Sequence, residues 1–223
     1  GCGYVSRWQA INAEEIGRLD ECLGDLVHDG TGTDTMSCIA VSAVPTGRKA
    51  AYWNVLSAFR PEEKNPHRVR WTCCGDQVDH PGVVSTQTAD LTTVKILINS
   101  VLSTPKAKMV VTDLKDFYLG TPMERYEYMR IPVHMLPPKI MELYKLHDLV
   151  HNRYVYVEIR KGMYGLPQAG KLANDRLRTL LEPHGYFPTN ITAGLWKHKT
   201  RPIAFGLVVD DFAIKYADKT DAD

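Results

Sequence analysis

The stretch Ile203-Ala-Phe-Gly-Leu-Val-Val-Asp210-Asp211-Phe-Ala-Ile-Lys-Tyr216 limits what this chain can become more than any other. Two apolar runs flank an adjacent pair of aspartates, which predicts a β-hairpin with two carboxylates at its tip. Side-by-side negative charges repel, and a bound divalent cation offsets that cost. A doublet alone is more often a solvated turn, so a third carboxylate is needed before the pair implies chemistry.

Lys108-Met-Val-Val-Thr-Asp113 supplies it. A short β-branched run ends at an acid, so Asp113 is expected at the end of a strand, where it can lean toward a neighbouring hairpin tip. Mg²⁺ takes hard oxygen ligands and leaves positions for water or phosphate, so a few carboxylates shared by two ions suit phosphoryl transfer. In such centres the ions stand about 3.5–4 Å apart, one at the attacking and one at the leaving oxygen.

Three motifs then occur in order: Asp113-Leu-Lys-Asp116-Phe-Tyr118, Tyr164-Gly-Leu-Pro-Gln168 and Val208-Val-Asp-Asp211. Together they resemble the motifs of reverse transcriptases. The wording of Phe117-Tyr-Leu-Gly-Thr-Pro-Met123 and Gly162-Met-Tyr-Gly-Leu-Pro-Gln-Ala169 is most similar to the copia-type class of long-terminal-repeat retrotransposons. The likeness runs from about Pro45 to the C-terminus.

The resemblance implies an α+β polymerase right hand, with fingers and palm, an antiparallel palm sheet backed by helices, and no thumb. It implies attack of a primer 3′-hydroxyl on the α-phosphate of a deoxynucleoside triphosphate, with Asp113, Asp210 and Asp211 as catalytic residues. The same acids, with the Leu114 carbonyl, would bind two Mg²⁺ ions, or Mn²⁺. Arg68 and Arg70 would hold triphosphate, and Asp116 would turn back toward the nucleotide pocket with Tyr118. Tyr118 would be the steric gate against a ribose 2′-hydroxyl, and Gln168 would lie near the nucleotide sugar. Gly165, Pro167, Val208 and Val209 would contact template and primer. Many relatives carry an aromatic at the position of Val208, and Gly170 is untypical. Expected partners are an RNA or DNA template with primer, dNTP, and the remaining Pol polyprotein with its integrase and RNase H. Two alternatives stay open: a decayed, inactive remnant that keeps the fold or nucleic-acid binding, and another metal-dependent phosphotransferase or nuclease using the same acids.

The chain of 223 residues, 44% apolar, suffices for one large domain or two small lobes. Its net charge of +1 excludes nothing, because acidic clusters offset basic ones elsewhere. Five cysteines (Cys2, Cys22, Cys38, Cys73 and Cys74) lack zinc-like CxxC pairs, which predicts reduced thiols. No apolar run approaches the roughly 20 residues that span a bilayer. A soluble, intracellular, cytoplasmic protein with no membrane contact is expected, virus-like particles being another location. Starting at Gly1 and stopping soon after the hairpin, the chain reads as a piece of something longer.

In order along the chain, residues 1–37 form a helical lead-in, 38–105 a fingers-like region, and 106–223 a palm-like region with inserted fingers elements. Ile16, Leu19, Leu23 and Leu26 predict a helix from Asn12 to Val27, with Asn12 and Glu15 as a capping box. A polar loop follows at Gly30 to Thr35. Strands are predicted at Cys38–Val44, Ala51–Leu56 and Arg68–Cys73, where alternation puts Arg68 and Arg70 on one face. Ser85–Val101 reads as a helix with Leu91, Val94, Ile98 and Val101 facing inward. Met123–Pro138 reads as an irregular arm, with a short helix from Pro138 to Leu146. Arg153–Arg160 alternates as a strand with Val155, Val157 and Ile159 on its covered face, and Lys171–His184 as a helix ended by Gly185. The glycines and proline of Gly162–Gly170 shape a backbone that approaches something closely.

Overall fold

The computed structural model describes residues 2–21, 31–218 and 220. In chain order they form α1 (Cys2–Leu19), β1 (Met36–Ile39), β2 (Ala50–Phe59), β3 (His67–Cys73), α2 (Leu91–Leu102), β4 (Lys108–Asp113) and β5 (Pro122–Pro132). Then follow α3 (Pro138–Leu143), β6 (Tyr154–Lys161), α4 (Ala169–Leu181), β7 (Tyr186–Pro188), β8 (Leu195–His198), β9 (Ala204–Val208) and β10 (Asp211–Tyr216). The architecture is mixed α+β. It divides into two compact units, Gly1–Val84 with Tyr118–Ala169, and Ser85–Phe117 with Gly170–Asp223. Each unit therefore draws on two stretches of chain, whereas the sequence divides more naturally into consecutive blocks at 37/38 and 105/106.

The first unit holds a five-stranded sheet in the order β1-β6-β5-β2-β3. Its pairs are antiparallel except β2 with β5, which run parallel. Strand β6 owes its place to clean alternation: Val155, Val157 and Ile159 are fully buried, and each contributes about 1.5–3 kcal/mol by leaving water. Met129 and Ile131 of β5, Ala51 of β2 and Trp71 of β3 are buried too.

Helix α1 starts well before the expected residue, and Asn12 lies inside it. Asn12 is no cap: its Oδ1 accepts from Trp71 Nε1 at 2.6 Å, and its amide donates to the Met135 carbonyl at 3.4 Å. Ile16 and Leu19 are buried as predicted, while Leu23, Leu26 and Val27 lie outside the described residues. The supposed arm after Met123 is instead the eleven-residue strand β5, interrupted by a bulge between Pro122 and Glu127. Its pairing partner β6 recruits it, overriding an irregular local pattern. The described part of the polar stretch before β1 is a loop as predicted, and it is anchored: Thr35 is wholly buried and its hydroxyl donates to the Leu119 carbonyl.

The second unit holds a wholly antiparallel sheet in the order β4-β10-β9-β8-β7. Phe205, Leu207 and Phe212 cluster with Trp196 of β8 and Leu177 of α4, and Trp196 stacks on Phe205 with centroids 5.5 Å apart. Cross-strand partners Gly206 and Ala213 carry the opposite face, where their small size admits α2: a Cβ on Gly206 would stand 3.6 Å from Leu97. The expected α+β class, with two sheets and helices packed on them, is met.

Helix α2 begins at Leu91, later than predicted. Ala89 N–H donates to the Leu207 carbonyl at 2.7 Å, which keeps the preceding chain extended, and Asp90 Oδ1 caps Thr93 N–H at 2.7 Å. That hydrogen bond holds the Asp90 carboxyl below its usual range. The late start also changes the buried face, which carries Thr93 and Leu97 while Leu91 and Ile98 are exposed. Among the described residues no helix is long and apolar enough to cross a membrane. Cys38, Cys73 and Cys74 are free thiols, and burial pushes Cys38 and Cys73 up to about 12.

Candidate active site

In the second unit the apolar runs around the aspartate pair do form a hairpin. β9 ends at Val208, β10 begins at Asp211, and these two pair across a two-residue loop of Val209 and Asp210. Val209 has φ 61°, the left-handed region that a two-residue turn with positive φ at its first position requires. Glycine takes that conformation without strain, whereas a β-branched valine is an outlier there. Strain of this kind is held only where the surrounding pairing over-determines the turn.

β4 lies on the other side of β10, and the register opposes Asp113 to Asp211. Cross-strand partners share a face of the sheet, with Cα atoms about 4.5–5.5 Å apart. A further bond ties the two segments: Leu114 N–H donates to the Asp210 carbonyl at 3.1 Å. The Leu114 carbonyl, expected to face a cation, accepts from Phe117 N–H at 3.2 Å as the chain turns. Asp116 sits in that turn at φ 57°, a conformation aspartate tolerates better than most residues. Asp113 and Asp211 are exposed and Asp210 half-buried, so their charges face high-dielectric surroundings.

Hard carboxylate oxygens on adjacent register positions are the right donor chemistry for an oxygen-preferring divalent cation. Asp113, Asp210 and Asp211 are the residues that the sequence offers for one. As their side chains stand, no group of three His, Cys, Asp or Glu among the described residues closes to ligand geometry. The backbone supplies the proximity; a cation would have to gather the carboxylates.

The other predicted residues lie in the first unit. Arg68 and Arg70 do share the exposed face of β3, alternating with Val69 and the buried Trp71. Arg68 is engaged by Glu63 at 2.6 Å, and bonds from Arg60 and Arg68 hold the Glu63 carboxyl below its usual range. Arg70 is placed differently: its guanidinium lies 4.2 Å from the centroid of the Tyr164 ring. Tyr164 in turn meets Tyr118 edge to face at 5.8 Å. Arg70, Tyr164 and Tyr118 thus form one contiguous row, joining residues from three segments of the sequence. Tyr164 had no assigned role in the sequence, although its place beside Gly165 in a quoted motif was a signal.

Gly165 and Pro167 do make a close approach, and its object is the protein itself. Gly165 has φ 92°, and a Cβ there would stand 2.0 Å from the Cys73 carbonyl oxygen. Cys73 N–H donates to the Tyr164 carbonyl at 2.9 Å, so the segment docks on the end of β3. Gln168 is buried and its amide donates to Glu127 at 3.3 Å, while its Oε1 has no partner among the described residues. Glu127 also binds Arg48 at 2.5 Å, a buried network that single-sequence patterning does not reveal. Compared with models of known protein families, the chain matches none.

Proposed function

We propose that this chain is the fingers-and-palm portion of an RNA-directed DNA polymerase of the copia-type retrotransposon class. The observation that carries this reading is the Asp113–Asp211 cross-strand pair, which joins two acids of separate motifs beside Asp210 at one sheet end. In this reading those three residues hold Mg²⁺ or Mn²⁺, with Asp211 bound less directly. The ions, when bound, lower the cost of deprotonating the primer 3′-hydroxyl and of charge on the leaving pyrophosphate.

The protein's own groups supply the rest. The exposed Arg70, seated over the Tyr164 ring, offers a cation to the triphosphate in this reading, and Arg68 can join it by exchanging its Glu63 partner for phosphate. Tyr118 is restrained by Tyr164, which suits a rigid ring that excludes a 2′-hydroxyl. Gln168 bonds inward to Glu127, so its role here is to hold the Gly165–Pro167 turn in place. Asp116 shapes the turn after Asp113 and Val209 the hairpin turn, and in this reading Val208 and Val209 contact the primer. Template and primer, dNTP and the other Pol polyprotein domains are the partners of this reading, and the cytoplasm or a virus-like particle its location.

Primer extension on an RNA template tests it. Incorporation of deoxynucleotides should fall on the order of 10²–10³-fold in Asp210→Asn. A rate in Asp210→Asn equal to the unmodified chain rejects the mechanism. Template binding without any incorporation identifies an inactive remnant and rejects the enzymatic reading of this chain.

A further inference from the structure

The outer face of the first unit's sheet carries a group of residues that the polymerase reading leaves unused. Val155, Val157 and Ile159 point into the core, so alternation turns Tyr154 and Tyr156 the other way. Register sets Arg130 of β5 opposite Tyr156 and beside Tyr52 of β2. The Arg130 guanidinium lies 4.3 Å from the Tyr52 ring and 5.1 Å from the Tyr154 ring, and one terminal nitrogen donates to the Tyr52 hydroxyl. Its Nε is enclosed, with no hydrogen-bond partner among the described residues.

Arg130 and Tyr156 line a cavity of about 810 Å³, within the range that small-molecule sites occupy. Arg48, Lys49, Asp76 and Asp79 also line it, and Val41, Val44 and Val78 give it an apolar wall. Arg48 is neutralised by Glu127, whereas Lys49 and Arg130 have no carboxylate partner among the described residues. Gln77 accepts from Tyr52 N–H at 2.9 Å, which fixes the wall carrying Asp76 and Asp79 to β2.

These groups select one kind of ligand. Two cations outside any ion pair attract phosphate, but two carboxylates in the same cavity penalise a highly charged polyphosphate. The Tyr156 ring and the valines accept a flat apolar face. Asp76 and Asp79 can only accept hydrogen bonds, which fits the exocyclic amino group of cytosine, adenine or guanine. We infer that this cavity binds a single amino-bearing nucleotide with one phosphate, either a free nucleoside monophosphate or one residue of an unpaired RNA or DNA strand. None of its lining residues belongs to the Asp113, Asp210 and Asp211 set, so binding is expected whether or not the chain extends primers.

Calorimetric titration with CMP and UMP, alongside anisotropy of a fluorescein-labelled cytidine decamer, tests the inference on the full chain. CMP or the decamer should bind saturably, and UMP or a uridine decamer roughly tenfold more weakly. Arg130→Gln should weaken binding by about tenfold or more. If Arg130→Gln fails to fold by circular dichroism, Lys49→Ala carries the test, because Lys49 is exposed and should lose affinity several-fold. Binding of the decamer alone identifies the strand as source, and binding of CMP alone the free nucleotide. No saturable binding of either probe, equal affinity for cytidine and uridine probes, or an unchanged affinity in the folded variants overturns the inference.

Discussion

Neutralising Asp113 should change the sign of its effect on stability with divalent cation. At roughly 5 Å between cross-strand positions, two unit charges in water repel by about 0.8 kcal/mol. Both Asp113 and Asp211 are exposed, which makes the water limit the appropriate one. Asp113→Asn keeps side-chain size and strand register, so without divalent cation it should be more stable than the parent by about 1 kcal/mol, counting the weaker repulsion from Asp210. Cation binding reverses the order. At a hundredfold excess over Kd, a cation stabilises the parent by about 2.7 kcal/mol, and the variant, short of one ligand, gains much less. Urea unfolding followed by circular dichroism, once in EDTA and once in MgCl₂, reads both halves. Equal Mg²⁺ responses of parent and variant would refute the shared cation site. A variant clearly less stable in EDTA would refute the repulsion between the paired strands.

Three other substitutions test the backbone and one buried acid. Gly165→Ala combines a left-handed φ with a Cβ 2.0 Å from the Cys73 carbonyl, so it should cost about 2 kcal/mol or more by thermal unfolding; a loss under about 0.5 kcal/mol contradicts the docking of that segment. Val209→Gly should relieve the strained turn and stabilise the hairpin by about 0.5–1 kcal/mol in urea titration, and a destabilised variant would show the turn to be unstrained. Desolvation pushes the Asp20 carboxyl up to about 6 from 3.8. The folded state therefore binds its proton more tightly than the unfolded state, so Asp20 favours folding below about pH 4, loses that advantage as pH rises toward 6, and is flat above. Asp20→Asn should flatten the pH–stability curve across that window, and an unchanged slope excludes Asp20 as its source.

The elements most legible in the sequence were those whose period matched their burial. Strand β6 and helix α4 carry regular alternation and helical spacing, and the hairpin around Asp210 is bracketed by two apolar runs. Strand β5 was not legible, because Met123-Glu-Arg-Tyr-Glu-Tyr contains a bulge that breaks the period of two. Helix α2 was misphased, since only the Ala89–Leu207 bond and the Asp90 cap reveal where it can start. Asn12 looked like a cap on local grounds, and its actual partner Trp71 is remote in sequence.

Residue types and their spacing, by themselves, determined that carboxylates sit at a strand end and at a hairpin tip, and that Arg68 and Arg70 share a strand face. Those are consequences of short-range periodicity, which a chain carries locally. The pairing of Asp113 with Asp211, the row from Arg70 through Tyr164 to Tyr118, and the burial of Gln168 against Glu127 were decided only by tertiary structure. Each joins groups distant along the chain, and which distant groups meet depends on sheet order and register, which arise from the packing of the whole unit.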